Sequence, residues 1–116
     1  MDNATLQQTI VKCLDDFKAQ DIVALDVKEI TNVTDTMIIA TATSRRHAAT
    51  IVEKLLAELR TQDIRPEYSD IKTDTDWQVL DFIDIVVHVM DADTRKLYDL
   101  EKLWQGTLQK RDSGAN

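Results

Sequence analysis

Residues 77–90 read Trp77-Gln78-Val79-Leu80-Asp81-Phe82-Ile83-Asp84-Ile85-Val86-Val87-His88-Val89-Met90. Two runs rich in β-branched and aromatic side chains, 77–82 and 85–90, stand only two residues apart. So short a gap suits a hairpin, and hence antiparallel pairing, better than a crossover. The second run is apolar on both faces, as is Thr36-Met37-Ile38-Ile39-Ala40-Thr41-Ala42 upstream. A sheet with two such strands must be substantially covered by helices.

The covering elements are visible on either side. Residues 3–19 place Leu6, Ile10, Cys13, Leu14 and Phe17 on one helical stripe, with Asp2 or Asn3 as a cap. Residues 22–28 change to a period of two, with Val23, Leu25 and Val27 facing together. Ser44 opens a second helix striped by Ala48, Ile51, Val52, Leu55 and Leu59. Around Pro66 the chain becomes extended. Glu67-Tyr68 forms a short strand and the polar run from Ser69 to Asp76 a loop. Asp91 caps a third helix carrying Leu97, Leu100, Leu103 and Trp104. The order is αββαβββα. It predicts an α/β (α+β) fold: one mixed sheet of about five strands with packed helices. A single domain spans 1–106, and the polar residues 107–116 form a mobile tail.

Bulk composition narrows the function. The 116 residues carry a net charge of −7, with 14 Lys and Arg against 21 Asp and Glu. Broad phosphate neutralisation needs clustered cations, so little direct nucleic-acid contact is expected. An acidic surface suits a basic protein partner. No apolar run approaches the roughly 20 residues that span a bilayer, and the start of the chain does not read as a leader. The lone Cys13 allows no internal disulfide, which fits the cytoplasm.

Catalytic signals are sparse. Cys13, His47 and His88 lie on separate elements, without zinc-ligand spacing. Only Gly106 and Gly114 exist, too few for a phosphate loop or dinucleotide fingerprint. Ser44 with His47 reads as a helix cap before a catalytic dyad. Asp74, Asp76, Asp81 and Asp84 crowd one region; solvated loop acids explain them better than a cation site. No cofactor or metal is expected. Against that background Ser44-Arg45-Arg46-His47 stands out. Cations in a first helical turn cost about 0.3–1 kcal/mol each, a broken local rule of the kind found at functional sites. Trp77, Phe82, Tyr98 and Trp104 are the second concentration, since Trp and Tyr are enriched at interface hot spots and in cores alike. His88, interrupting an apolar strand, reads as a core histidine.

At these residues the chain resembles the Iojap-like ribosomal silencing factors. The matching blocks are 21–27 (Asp-Ile-Val-Ala-Leu-Asp-Val), 34–41 (Thr-Asp-Thr-Met-Ile-Ile-Ala-Thr) and Ser44-Arg45-Arg46-His47. They continue with 76–81 (Asp-Trp-Gln-Val-Leu-Asp), 86–89 (Val-Val-His-Val) and 95–104, where Tyr98-Asp99-Leu100-Glu101 precedes Trp104. The blocks run in order across residues 5–105. The resemblance implies a nucleotidyltransferase-like fold turned binding module. It implies docking on protein fourteen of the large ribosomal subunit, a steric block to subunit joining, and repressed translation when nutrients are short. It puts Trp77, Leu80, Asp81, Tyr98, Leu100 and Trp104 at or beneath the contact surface, with Ser44, Arg46 and His47 also in a family motif. Nucleotidyltransferases carry a Gly-Ser pair and paired carboxylates where this chain has Ala42-Thr43-Ser44 and arginines, so no enzyme is expected. Two glycines usual in the family are replaced, by Ile83 between the last two strands and by Ser69-Asp70 before Trp77. Because a β-branched residue resists positive φ, the hairpin is expected to use a different turn geometry. A nucleotidyltransferase, an RNA-binding assembly factor and self-association into a homodimer remain open alternatives.

Overall fold

The computed structural model describes residues 2–70 and 76–98. Helix α1 (Asn3–Asp16) and strand β1 (Gln20–Asp26) lead into β2 (Thr36–Ala42) and α2 (Arg45–Thr61). Then come β3 (Tyr68–Asp70), β4 (Trp77–Asp81), β5 (Ile85–Asp91) and α3 (Ala92–Tyr98). The five strands form one sheet in the order β1-β2-β5-β4-β3. Only β2 and β5 pair in parallel; the other neighbours are antiparallel.

Each element has a local cause. The Asp2 side chain accepts the Thr5 amide at 2.7 Å and caps α1. That bond holds its carboxyl below the usual carboxylate range. The helix stops at Asp16, three residues before the expected end, because Lys18 turns left-handed at φ 71°. Asp21, at φ 49°, marks an irregularity in the β1 ladder between Gln20 and Val23. Arg95 Nη1, reaching across from α3, donates to its carbonyl at 2.6 Å. Irregular strand positions leave backbone groups without ladder partners, and here a side chain supplies one.

The expected loop from Ser69 is corrected at its start. Ser69 and Asp70 continue β3, pairing with Leu80 and Val79. A ready partner edge on β4 wins over their polar character. Residues 71–75 and 99–116, including the expected tail and the Leu100, Leu103 and Trp104 of the third helix, lie outside the described residues.

The hairpin turn is the second correction. Ile83 itself adopts positive φ, 75°, although it is β-branched. The Asp84 amide donates to the Phe82 carbonyl at 2.9 Å, an i to i+2 bond that makes Ile83 the centre of a strained γ-turn. Four contacts hold it there. The Ile83 amide donates to Asp81 Oδ1 at 2.7 Å, the Asp35 and Thr36 amides donate to the Asp84 carbonyl, and Asn3 Nδ2 donates to Asp84 Oδ2. A positive φ persists here without a glycine because the surroundings over-determine it.

The two sheet faces differ. α1 and α2 pack together on one, burying Ile10, Leu14, Ile51, Leu55 and Leu59 against Ile38, Ala40, Leu80, Ile85, Val87 and Val89. The other face carries a smaller cluster of Leu25, Val27, Met37, Ile39 and Met90, with Val23, Ile30 and Trp77 at its margin.

Candidate functional site

Alternation along β4 assigns the expected contact residues. Trp77, Val79 and Asp81 point to the second face and are half-buried, whereas Gln78 and Leu80 point to the helices and are buried. Leu80, fully enclosed, can support a contact surface but not touch a partner. Trp77 and Asp81 share the second face at opposite ends of the strand. Tyr68 pairs with Asp81 and stands 57% exposed, a neighbour that the sequence reading missed. A tyrosine set two residues after Pro66 was the available signal.

Trp77 is tied into the face by His88. The register pairs Val79 with His88, which makes Trp77 and His88 diagonal neighbours on adjacent strands. The indole Nε1 donates to His88 Nδ1 at 2.9 Å, and the ring centroids lie 5.7 Å apart, tilted by 53°. Since Nδ1 accepts, the neutral ring carries its proton on Nε2. His88 is only 9% exposed, and burial pulls its pKa down from 6.5 to about 4. Among the described residues the buried Nε2 finds no hydrogen-bond partner. An unsatisfied buried donor costs about 1–3 kcal/mol. His88 is thus the expected core histidine, satisfied on one nitrogen alone.

The Ser44–His47 segment meets Trp77 at one end of the sheet. Ser44 caps α2, its Oγ accepting the His47 amide at 3.0 Å. Arg45, at the first helical position, lies 3.8 Å from the Asp76 carboxylate just ahead of β4. Both groups are well exposed, so the pair contributes at most about 1 kcal/mol. Arg46 is exposed. His47 serves the fold: its Nδ1 accepts the Thr43 amide at 2.9 Å, leaving Nε2–H to donate to the Phe17 carbonyl at 3.1 Å. That carbonyl caps the end of α1, where helices leave acceptors unpaired.

α3 docks at the same end through polar contacts. The Thr94 amide donates to Asp91 Oδ1 at 2.8 Å, which holds the Asp91 carboxyl below its ordinary range. Thr94 Oγ1 donates to Asp76 Oδ2, and Arg95 Nη1 to Thr41 Oγ1 at 2.7 Å. Leu97, expected on the apolar stripe, is instead 78% exposed, because this turn buries Thr94. Tyr98 closes α3; its side chain, with Leu100 and Trp104, lies outside the described residues.

The expected crowding of Asp76, Asp81 and Asp84 is corrected by the strand between them. Asp76 precedes β4 and Asp81 ends it, about 16 Å away at strand rise; Asp74 lies outside the described residues. Among the described residues no three His, Cys, Asp or Glu side chains gather as a metal site would require. Cys13 is buried, and burial raises its thiol pKa, away from nucleophilic use. Asp26, Asp35, Asp81 and Asp84 all fall at the sheet end opposite Arg45 and Arg95, as the strand register requires. Among the described helices none is long and apolar enough to cross a membrane.

Known proteins resemble this chain in sequence and in fold. The family model described as "Ribosomal silencing factor during starvation" matches residues 1–115. A Haemophilus influenzae protein named ribosomal silencing factor RsfS is 36% identical over 99 residues, 85% of this chain and 97% of its own. The mouse protein named mitochondrial assembly of ribosomal large subunit protein 1 is 35% identical over 106 residues; the match spans 89% of this chain and 46% of the mouse protein. A crystal structure of a Chromobacterium violaceum protein superposes with a TM-score of 0.84 at 29% identity, covering 90% of this chain and 88% of that one.

Proposed function

We propose, from the premise that this chain belongs to the ribosomal silencing factor family, that it binds the large ribosomal subunit and sterically blocks joining of the small one. The action needs no chemical step. Docking uses protein fourteen of the large subunit and represses translation in the cytoplasm when nutrients are short.

The observation that carries this reading is the half-buried row of Trp77, Val79 and Asp81 on the sheet face that α1 and α2 leave open. An aromatic anchor flanked by a carboxylate is the composition of an interface hot spot. The Asp81 end, with Asp26, Asp35 and Asp84, complements a basic protein. An ordinary interface of about 1,600 Å² in total would extend past Tyr68 and α3.

Sedimentation of a cell extract containing tagged protein tests the claim. The tag should travel with free large subunits, and purified protein should lower the fraction of joined ribosomes. Travel with small subunits or polysomes, and absence from large subunits, would sink it. Folded Trp77→Ala and Tyr98→Ala variants should bind at least tenfold more weakly; normal binding by both would refute the assigned surface.

The mouse relative's name favours a second reading, a role in assembling the large subunit. Large-subunit precursors accumulating in cells that lack the protein, with subunit joining unaltered, would favour assembly over silencing.

A further inference from the structure

We propose that His88 is a positioning residue for partner docking, its Nδ1 holding the Trp77 indole in the orientation that meets the large subunit. The inference rests on the reading that Trp77 touches that subunit.

An imidazole is costly at this position. His88 stands among Val86, Met90 and the apolar Met37–Ile39 strand, and an aliphatic side chain would fill that place without an unpaired N–H. Its measurable return is the 2.9 Å bond from Trp77 Nε1. Trp77 sits at the margin of its cluster and is half-buried, so its indole is within reach of a partner. The directional bond and the tilted ring contact favour one orientation of the indole before a partner arrives. Burial keeps the imidazole neutral at physiological pH, so Nδ1 remains an acceptor.

The placement of the two residues agrees with this role. They occupy diagonal positions on strands that pair residue for residue from Trp77–Met90 to Asp81–Val86. The strand backbone therefore fixes the distance between them. A rigid framework for a recognition side chain improves affinity by limiting the entropy lost on binding.

The test compares wild type, His88→Leu, His88→Asn, Trp77→Phe and the His88→Leu/Trp77→Phe double variant. Each is measured for equilibrium binding to purified large subunits and for the Trp77 indole N–H proton resonance. His88→Leu should move the resonance towards that of an unbonded indole and weaken binding about tenfold. His88→Asn, whose Oδ1 stands where Nδ1 stood, should restore both. Trp77→Phe should weaken binding similarly, and the double variant no further. Additive losses, or an unmoved resonance in folded His88→Leu, would overturn the proposal. Should His88→Leu not fold, wild-type affinity in Trp77→Phe would overturn it. Failure of the wild-type protein to bind large subunits defeats the docking reading instead, while the resonance still decides whether His88 holds the indole.

Discussion

The helix-covered face of the sheet buries Ile38, Ala40, Leu80, Ile85, Val87 and Val89 beneath α1 and α2, whereas the opposite face leaves Trp77, Val79 and Asp81 half-buried. The first is closed by aliphatic side chains from α1, α2, β2, β4 and β5, with the Gln78 amide buried beside them. The second mixes a smaller apolar cluster with an indole, an imidazole and a carboxylate, and one of its buried N–H groups goes unpaired among the described residues. One face supplies stability, and the other, the proposed docking face, tolerates a cost in stability to hold polar groups.

The sharpest way to break this division is Leu80→Ala. Removing a fully buried side chain under α2 should cost about 2–5 kcal/mol, read as a lower midpoint in denaturant unfolding. The fraction that stays folded should bind large subunits as wild type does. Weaker binding by folded protein would mean that the covered face also takes part in recognition.

Acid separates the faces next. Between about pH 6.5 and 4 the unfolded chain gains a proton at residue 88 that the folded chain refuses. Stability should fall across that window by up to about 3 kcal/mol, with no contribution from this group above it. His88→Asn should flatten this part of the pH profile. An unchanged slope would mean that His88 is protonated as readily in the folded state.

The turn at the end of the open face gives the smallest effect. Ile83→Gly should relieve the positive φ and raise stability by about 1 kcal/mol, net of the backbone freedom that glycine adds to the unfolded chain. Lower stability would show that the exposed Ile83 side chain makes up for its strain.

Much of this was legible in the residues. Thr36–Ala42 and the 77–90 hairpin are strongly apolar at strand spacing, and Ser44 announced α2 as its cap. What escaped depended on partners distant in sequence. Leu80 was grouped with Trp77 and Asp81, although alternation alone puts it on the other face; the buried Gln78 beside it masked the apolar-polar rhythm. His47 drew notice as part of a cationic segment, but its partner is the Phe17 carbonyl, 30 positions away. Ile83 misled because steric preference was weighed without the bonds from Asp81, Asp35 and Asn3 that hold the turn. The family blocks carried the identity of the chain, and they matched where the physical reading ended.

The parallel pairing at the centre of the sheet bears on how the protein comes into being. Thr36 aligns with Ile85, so the β2–β5 seam closes a chain separation of 49 residues, from 36 to 85. Helices and the β4–β5 hairpin can form from neighbours within microseconds, but this seam must first overcome loop-closure entropy. Both faces are defined only once it forms. The half-buried row of β4 therefore waits on the least local pairing in the sheet, and a half-folded chain lacks the face proposed to dock.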